Sequence, residues 1–226
     1  YEDVYFPAAD GVPRHDCFGR GVRNTLLVWF HGNAGNIADR VDNLGLLVRK
    51  TGVSVFLFDY REYGLSQGRV SKAGTFSDAE GVYRYLTEER GVPPEKMVLF
   101  GRSLGSALAV YLAATRPVGA LIVESAFTSS EDVANLYYPF LKHLVKTTAS
   151  YRTKELIGQV KAPVLVIHGE VDDIIPLWMG QEVFRAAPEP KEFYLIPGAG
   201  HNDTYVVGGD EYFSRLRDFI SRWVKG

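Results

Sequence analysis

The sequence predicts an α/β fold in which helices cover both faces of a mostly parallel central sheet. One observation is a series of short apolar runs, rich in β-branched and aromatic residues, each typical of a strand buried on both faces. The other is that segments with helical spacing of apolar residues lie between these runs. The runs occupy residues 25–31, 53–59, 97–101, 120–124, 164–168 and 192–196. Because strands alternate with helices, neighbouring strands are expected to be joined by crossovers and to run parallel.

The helices and the remaining strands follow from local signals. Asn36 is a predicted N-cap, because apolar residues recur at helical spacing after it. Ser77 and Glu80 form a capping-box pattern that predicts a helix beginning there. Further helices are predicted over 104–115, 178–187 and 210–224. The opening stretches "YEDVYF" and "PRHDCF" predict antiparallel strands at an edge of the sheet.

Composition limits the classes of function. The chain has 226 residues, of which 46% are hydrophobic, so we expect one domain over residues 1–226. Its 25 basic and 27 acidic residues give a net charge of −2 without a basic cluster, which disfavours nucleic acid as a partner. The one cysteine, Cys17, excludes an intrachain disulfide and is compatible with a reducing cytoplasm, the default location.

Membrane association is expected only through a segment outside this sequence. No apolar run approaches the roughly 18 residues that a membrane span needs, and the start does not resemble a signal peptide. The sequence begins at Tyr1 rather than at Met, so an N-terminal anchor is expected only upstream of it.

A serine turn carries the strongest functional signal. Residues 101–105, "GRSLG", fit G-x-S-x-G between a predicted strand and a predicted helix. In that context the glycines allow a sharp turn that presents Ser103 above the sheet as a nucleophile. The alternatives are a glycine-rich turn with a capping serine and a phosphate-binding turn. The second lacks both G-x-G-x-x-G and G-x-x-x-x-G-K-[ST].

A serine nucleophile needs a general base and an acid that orients it. In the chain order serine, acid, histidine, His201 in the loop "PGAGHND" is the predicted base, because the other histidines lie before Ser103 or in unsuitable elements. The loop after strand 164–168 offers Glu170, Asp172 and Asp173 as the acid. Chemistry alone leaves these three carboxylates open.

The loop "HGNAGN", residues 31–36, is a predicted oxyanion hole. Its small residues leave backbone amides uncovered, so the Asn33 amide and the Leu104 amide are the expected donors. His31 is expected to be structural. H-E-x-x-H and clustered metal ligands are absent from the sequence, so we expect neither a catalytic metal nor a cofactor.

These motifs resemble those of the α/β-hydrolase superfamily of serine hydrolases. The stretches "HGNAGN", "DYREYGLSQG", "GRSLGS", "VESAFTS", "HGEVDDIIP" and "GAGHND" are similar to the small-cap branch that contains the fission-yeast budding-related proteins and depalmitoylating hydrolases. The resemblance implies the α/β-hydrolase fold over nearly the whole chain. The family pattern H-G-x-x-D-x-x-x-P, laid on residues 168–176, selects Asp172 as the acid, with Asp173 as second choice. Glu62 stands where members usually have glycine, a departure that bears on the shape of its loop.

The segment 126–161 is the expected small cap. Apolar residues at helical spacing predict a helix in it, which Pro139 is expected to kink or break. We weigh two hypotheses equally: the helix packs on the core, or Tyr137, Tyr138 and Phe140 line an acyl pocket. Glu124, at the end of a buried strand, is expected to hold neighbouring loops by hydrogen bonds.

The sequence therefore predicts a serine esterase of carboxylesterase or lipase type, with Ser103, His201 and Asp172 as its triad. By fold analogy, a small cap implies an open site and small-molecule acyl esters of small to medium chain length as substrates. The alternatives on the same triad are acyl-protein thioesterase, lysophospholipase and peptidase activity. From other classes, the alternatives are a non-catalytic binding module on the hydrolase fold and, third, a nucleotide-binding protein.

Overall fold

One mixed sheet forms the centre of the computed structural model, which describes residues 2–139 and 151–225. Within this described part of the chain the sheet has eight strands. They are β1 (Glu2–Pro7), β2 (Pro13–Gly19), β3 (Leu26–Phe30), β4 (Ser54–Phe58), β5 (Met97–Arg102), β6 (Ala120–Glu124), β7 (Val164–Gly169) and β8 (Lys191–Ile196). Their order across the sheet is β1-β2-β4-β3-β5-β6-β7-β8.

The strand pairing confirms the predicted fold class. From β4 to β8 all neighbouring strands run parallel, as crossover connections require. The two N-terminal strands pair antiparallel with each other, and β2 pairs antiparallel with β4, so the predicted edge strands are also confirmed. The carboxyl ends of the parallel strands lie at one edge of the sheet, where ligand sites of such folds form.

Helices cover both faces of the sheet. They are α1 (Val41–Thr51), α2 (Lys72–Arg84), α3 (Leu104–Thr115), α4 (Ser130–Tyr137), α5 (Thr153–Ile157), α6 (Leu177–Ala186), α7 (Thr204–Val207) and α8 (Gly209–Trp223). Apolar residues of α1 and α8 share one core cluster with Leu27 and Trp29 of β3. Residues of α2, α3, α5 and α6 share the opposite cluster with Val28 and Phe30. Successive residues of β3 therefore alternate between two cores, which explains its uninterrupted apolar sequence.

The prediction that every run is buried on both faces is wrong for β8. Lys191 to Leu195 are partly exposed, and Ile196 is the buried residue of this strand. The reason is the position of the strand, since β8 is the last strand of the sheet over the described residues and pairs there with β7 alone.

Capping residues set the starts of the first two helical segments. The Asn36 side chain accepts from the Ala38 amide at 2.9 Å and so caps a 3₁₀ turn, Ile37–Arg40, that leads into α1. The predicted capping box at Ser77 and Glu80 is wrong, because α2 already begins at Lys72. Ser71, whose Oγ accepts from the Gly74 amide at 3.0 Å, is its N-cap. Ser77 lies inside the helix and accepts instead from the Asp10 amide at 3.1 Å.

The cap segment begins with α4, which Ser129 caps by accepting from the Asp132 amide at 3.0 Å. The helix ends at Tyr137, two residues before Pro139, as the prediction of a break there requires. Phe140 lies outside the described residues. Over the two described ranges, no helix combines the length and the apolar character needed to cross a membrane.

Candidate active site

Ser103 occupies the sharp turn between β5 and α3. Its φ of 51° and ψ of −119° place a non-glycine residue in a rarely populated region of backbone space. A Cβ on Gly105 would lie 1.9 Å from the Phe30 carbonyl oxygen, and one on Gly101 would lie 2.5 Å from the Gly105 carbonyl oxygen. Both glycines of the motif are therefore required by close backbone approach, as a nucleophile elbow demands.

The structure brings Ser103, His201 and Asp172 into one hydrogen-bonded chain. His201 Nε2 lies 3.1 Å from Ser103 Oγ, and His201 Nδ1 lies 2.9 Å from Asp172 Oδ2. The three side chains come from the loops after β5, β8 and β7 at the carboxyl edge of the sheet. His201 is 6% exposed and Asp172 is 7% exposed, so both are largely shielded from water while Ser103 is half-buried.

Asp172 is held as a carboxylate by its surroundings. Its Oδ1 accepts from the amides of Ile174 at 3.0 Å and Ile175 at 2.7 Å. Burial by itself raises the pKa of Asp172, but the hydrogen bonds from His201 and from the Ile175 amide outweigh it and lower the pKa below its ordinary value. Asp172 is therefore ionised at neutral pH, as a group that stabilises an imidazolium must be.

The two competing carboxylates point elsewhere. Glu170 accepts from the Gly198 amide at 3.0 Å and so ties two loops together. Asp173 is exposed, and its carbonyl oxygen accepts from the Tyr137 hydroxyl at 3.3 Å. Of the three candidates from the sequence, Asp172 is the one that contacts His201.

Two further histidines support the loops around the site. His31 is fully buried, with Nδ1 2.7 Å from the Gly32 carbonyl oxygen and Nε2 3.1 Å from Asp59 Oδ1, contacts that suit the structural role expected of it. His168 Nε2 lies 2.8 Å from the Ile175 carbonyl oxygen, next to the amide that binds Asp172. Burial lowers the pKa of His168, which favours a neutral imidazole there.

The loop "HGNAGN" lies beside the serine, since a Cβ on Gly32 would be 3.5 Å from Ser103 Cβ. Asn33 is oriented by its side chain, whose Oδ1 accepts from the Tyr63 hydroxyl at 2.6 Å. Among the described residues, the Asn33 amide has no acceptor. The Leu104 amide is the first of α3, where helix geometry supplies no acceptor either. The two amides expected to bind an oxyanion are thus available.

Glu62 has a positive φ, a backbone conformation that favours glycine. Its φ is 69°, in the left-handed region that costs a residue with a side chain about 1–2 kcal/mol. The Glu62 carboxylate accepts from the Val70 amide at 2.7 Å and closes the loop. A side-chain hydrogen bond thus accompanies the strained conformation.

Glu124 has the role expected from the sequence. It is 1% exposed and accepts from the hydroxyls of Thr204 at 2.7 Å and Tyr212 at 2.5 Å. Arg102 completes this group, with Nε 3.2 Å from Glu124 Oε1. Sequence reasoning missed Arg102, because G-x-S-x-G allows any residue at its position. It missed Thr204 and Tyr212, because their partner Glu124 is distant along the chain.

The acyl pocket stays a prediction. Tyr138 is 62% exposed at the end of α4, open to solvent rather than packed on the core. The neighbouring Tyr137 hydroxyl donates to the Ile174 carbonyl oxygen at 2.8 Å, so α4 contacts the loop that carries Asp172. Phe140, the third candidate, is not among the described residues.

Together, the sheet order, the serine turn and the ordered serine, acid and histidine define an α/β hydrolase. Within that class the chain belongs to the serine aminopeptidase S33 family, which matches residues 22–156, more than half of its length. The resemblance inferred from the six motifs is thereby confirmed.

Relatives agree with this assignment, and a solved structure agrees with the fold. An uncharacterized protein of Mycobacterium tuberculosis is 40% identical over 191 residues, which cover 84% of this chain and 68% of that protein. The protein bem46 of Schizosaccharomyces pombe is 34% identical over 205 residues, 88% of this chain and 68% of its own. The structure of the Pyrococcus furiosus esterase Pf2001 matches with a TM-score of 0.81 at 20% identity, covering 99% of this chain and 93% of that one. At 20% identity, the similarity to the Pf2001 structure shows the fold alone.

Proposed function

We propose that this protein is a serine hydrolase that cleaves carboxylic esters of small to medium acyl chains. The hydrogen-bonded chain from Ser103 Oγ through His201 to Asp172 carries the proposal. The backbone of Ser103 supports it, because a strained turn between a strand and a helix presents the hydroxyl at the surface of the sheet.

The geometry suits acyl transfer in two steps. Ser103 Oγ attacks the acyl carbonyl while His201 Nε2 takes the hydroxyl proton, and the ionised Asp172 stabilises the resulting imidazolium. The amides of Asn33 and Leu104 bind the oxyanion, each contributing about 10²–10³ in rate. The imidazolium then gives its proton to the leaving alkoxide, which departs as the alcohol. Water activated by His201 hydrolyses the acyl-enzyme and restores Ser103.

The family name and the structures of similar fold are compatible with more than one class of acyl substrate. Thioesters, lysophospholipids and peptide amides react on the same triad, and the matching family is named for aminopeptidases. Esters are the primary proposal because the described part of the cap segment holds two short helices, α4 and α5, and Tyr138 at the end of α4 is exposed. An open site admits small acyl esters without a large lid movement.

The first test compares the wild-type protein with Ser103→Ala on p-nitrophenyl esters from acetate to palmitate. We expect turnover with an optimum at short or medium chains, and a fall in kcat of about 10⁶ in the variant, because its nucleophile is gone. Ser221→Ala, at an exposed serine of α8, is the matched control and should retain activity. Full turnover by a folded Ser103→Ala protein would refute the nucleophile assignment.

The same ester series tests the pocket. Tyr138→Ala should change the ratio of short-chain to long-chain turnover if this ring borders the acyl group. An unchanged chain-length profile would remove Tyr138 from the pocket.

A fluorophosphonate probe separates the remaining classes. If Ser103 is labelled but no ester is hydrolysed, a thioester and an aminoacyl amide become the next substrates to assay. If the folded protein is neither labelled nor active, a non-catalytic binding module on the hydrolase fold replaces the proposal.

A further inference from the structure

Glu124 connects the nucleophile turn to the histidine segment through two different groups. Its backbone carbonyl oxygen accepts from the Ser103 amide at 2.9 Å. Its side chain, 1% exposed, accepts from the hydroxyl of Thr204, three residues after His201. Glu124 therefore contacts both the backbone of the serine turn and the segment that carries His201.

Arg102 makes a second connection between the serine turn and the histidine segment. It immediately precedes Ser103 on β5 and lies opposite Glu124 of β6 in the parallel register. Its Nε lies 3.2 Å from Glu124 Oε1, while its Nη2 donates to the His201 carbonyl oxygen at 2.6 Å. The guanidinium thus lies between the buried carboxylate and the backbone of the base.

The other partners of Glu124 keep the carboxylate in place. The Tyr212 hydroxyl of α8 donates to Glu124 Oε2 at 2.5 Å. Burial, reinforced by the charge of Glu124, raises the pKa of Tyr212 well above its ordinary value, so this hydroxyl remains a donor at neutral pH. With donors from Thr204, Tyr212 and Arg102, the buried carboxylate is well satisfied.

We propose that Arg102 and Glu124 are positioning residues that hold the His201 backbone so that Nε2 stays within reach of Ser103 Oγ. This Arg102–Glu124 bridge deepens the proposed function and rests on it. The contact of Arg102 with the base is through the His201 carbonyl oxygen, and Glu124 contacts Arg102, so both are proposed to act through His201 rather than on the substrate.

The histidine segment needs such support because of its sequence. His201 lies in "PGAGHND", where Gly198 has a φ of 71° and Gly200 directly precedes the base. Glycines give this segment more backbone freedom than other residues would. A displacement of about 1 Å at a reacting group costs about 10² in rate, so a modest shift of His201 would be visible in kcat.

The test compares Arg102→Gln, Glu124→Gln and the double variant with the wild type on the best p-nitrophenyl ester. We expect kcat to fall about 10- to 100-fold with little change in KM. The double variant should lose little more kcat than the weaker single variant, because both residues act through one bridge. Arg102→Lys, which keeps a charged donor, should restore part of kcat.

The matched control is Arg116→Gln combined with Glu80→Gln. Arg116, which directly follows α3, forms an ion pair of 2.9 Å with Glu80 of α2, and this pair is more exposed than the bridge. The control should leave kcat and KM unchanged.

One readout does not depend on turnover. Hydrogen exchange of the peptide 197–203 should be faster in Arg102→Gln than in the wild type and in Arg102→Lys. If the wild-type protein hydrolyses nothing, the proposed function fails while this measurement still decides the positioning role.

A folded Arg102→Gln variant with wild-type kcat and exchange overturns the proposal. It is also overturned if Arg102→Lys restores stability but none of the lost kcat, because that pattern describes a purely structural pair. Should Glu124→Gln fail to fold, Arg102→Gln and Arg102→Lys still give the deciding comparison, since Arg102 is partly exposed.

Discussion

The backbone of Ser103 differs from that of a capping serine and suits the proposed nucleophile, a choice that its sequence motif leaves open. A capping serine has extended backbone angles and accepts a hydrogen bond from an amide in the first turn of its helix, as Ser71 and Ser129 do. Ser103 instead has a φ of 51°, makes no such side-chain bond, and lies 3.1 Å from His201 Nε2. The backbone conformation of Ser103 thus presents its hydroxyl to His201 and does not cap α3.

Replacing Asp172 with Asn should affect both rate and stability. We expect kcat to fall about 10⁴-fold at neutral pH, because the amide favours the wrong tautomer of His201 and cannot stabilise the imidazolium. Ester hydrolysis by the wild type and Asp172→Asn, both verified as folded, measures this. A loss below tenfold would contradict the role proposed for Asp172.

The same variant has a pH-dependent effect on stability with a defined sign. The folded-state pKa of Asp172 is lower than its value in the unfolded chain, about 3.9, so ionisation stabilises the fold above that pH. This contribution is lost as the pH falls from there through the folded-state pKa. Urea unfolding at pH 7 and pH 3 should therefore show a smaller difference between wild type and Asp172→Asn at pH 3. A difference that stays constant would argue against the lowered pKa.

The residues of the candidate site differ in how well the sequence predicts them. Ser103 and His201 could be identified because a motif and a chain order constrain them. Asp172 could not be separated from its neighbours by chemistry, since all three candidates are carboxylates in one loop, and the family pattern made the choice. Arg102 had no signal, because its contact with His201 joins residues 99 positions apart.

At the level of elements, local patterns predicted strands better than helix starts. Runs such as 120–124 coincide with β6 because burial on both faces requires a continuous apolar sequence. The start of α2 was misplaced because a capping-box pattern inside a helix resembles one at its beginning, while Ser71 carries no glutamate three residues later. Ser77 instead accepts from the Asp10 amide, a tertiary contact that the local pattern does not report.

The packing of α3 against β3 should be intolerant of any side chain at Gly105. A methyl group there would meet the Phe30 carbonyl oxygen at 1.9 Å, and a backbone atom cannot move away as a flexible side chain can. We expect Gly105→Ala to lower the free energy of unfolding by about 3 kcal/mol or more. Chemical denaturation of the purified variant measures this.

Gly158→Ala is the matched control for that experiment. Gly158 has a right-handed conformation, and the nearest atom to its added Cβ would lie at 3.5 Å, an ordinary contact. Its stability should stay within about 0.5 kcal/mol of the wild type. Equal stabilities for the two variants would show that the turn can relax around a methyl group.

For the molecule as a whole, the alternation of strands and helices was sufficient to predict the sheet and its largely parallel direction. The exception at β8 has a global cause, because whether a strand lies at an edge depends on the order of all strands and not on its own residues. The candidate site depends on the whole fold in the same way. The sheet brings together side chains from positions 103, 172 and 201, which lie too far apart along the chain for a local sequence pattern to predict their contact.

This wide separation along the chain has a consequence for how activity arises during folding. Contacts between distant segments close large loops and form late, and a chain of this size is expected to fold through intermediates. Far-ultraviolet circular dichroism should therefore recover before fluorophosphonate labelling of Ser103 in a refolding experiment. Labelling that recovers together with the first secondary structure would contradict this order. Because His201 lies between β8 and α8, fluorophosphonate labelling of Ser103 would show when β8 joins the sheet and α8 packs on it.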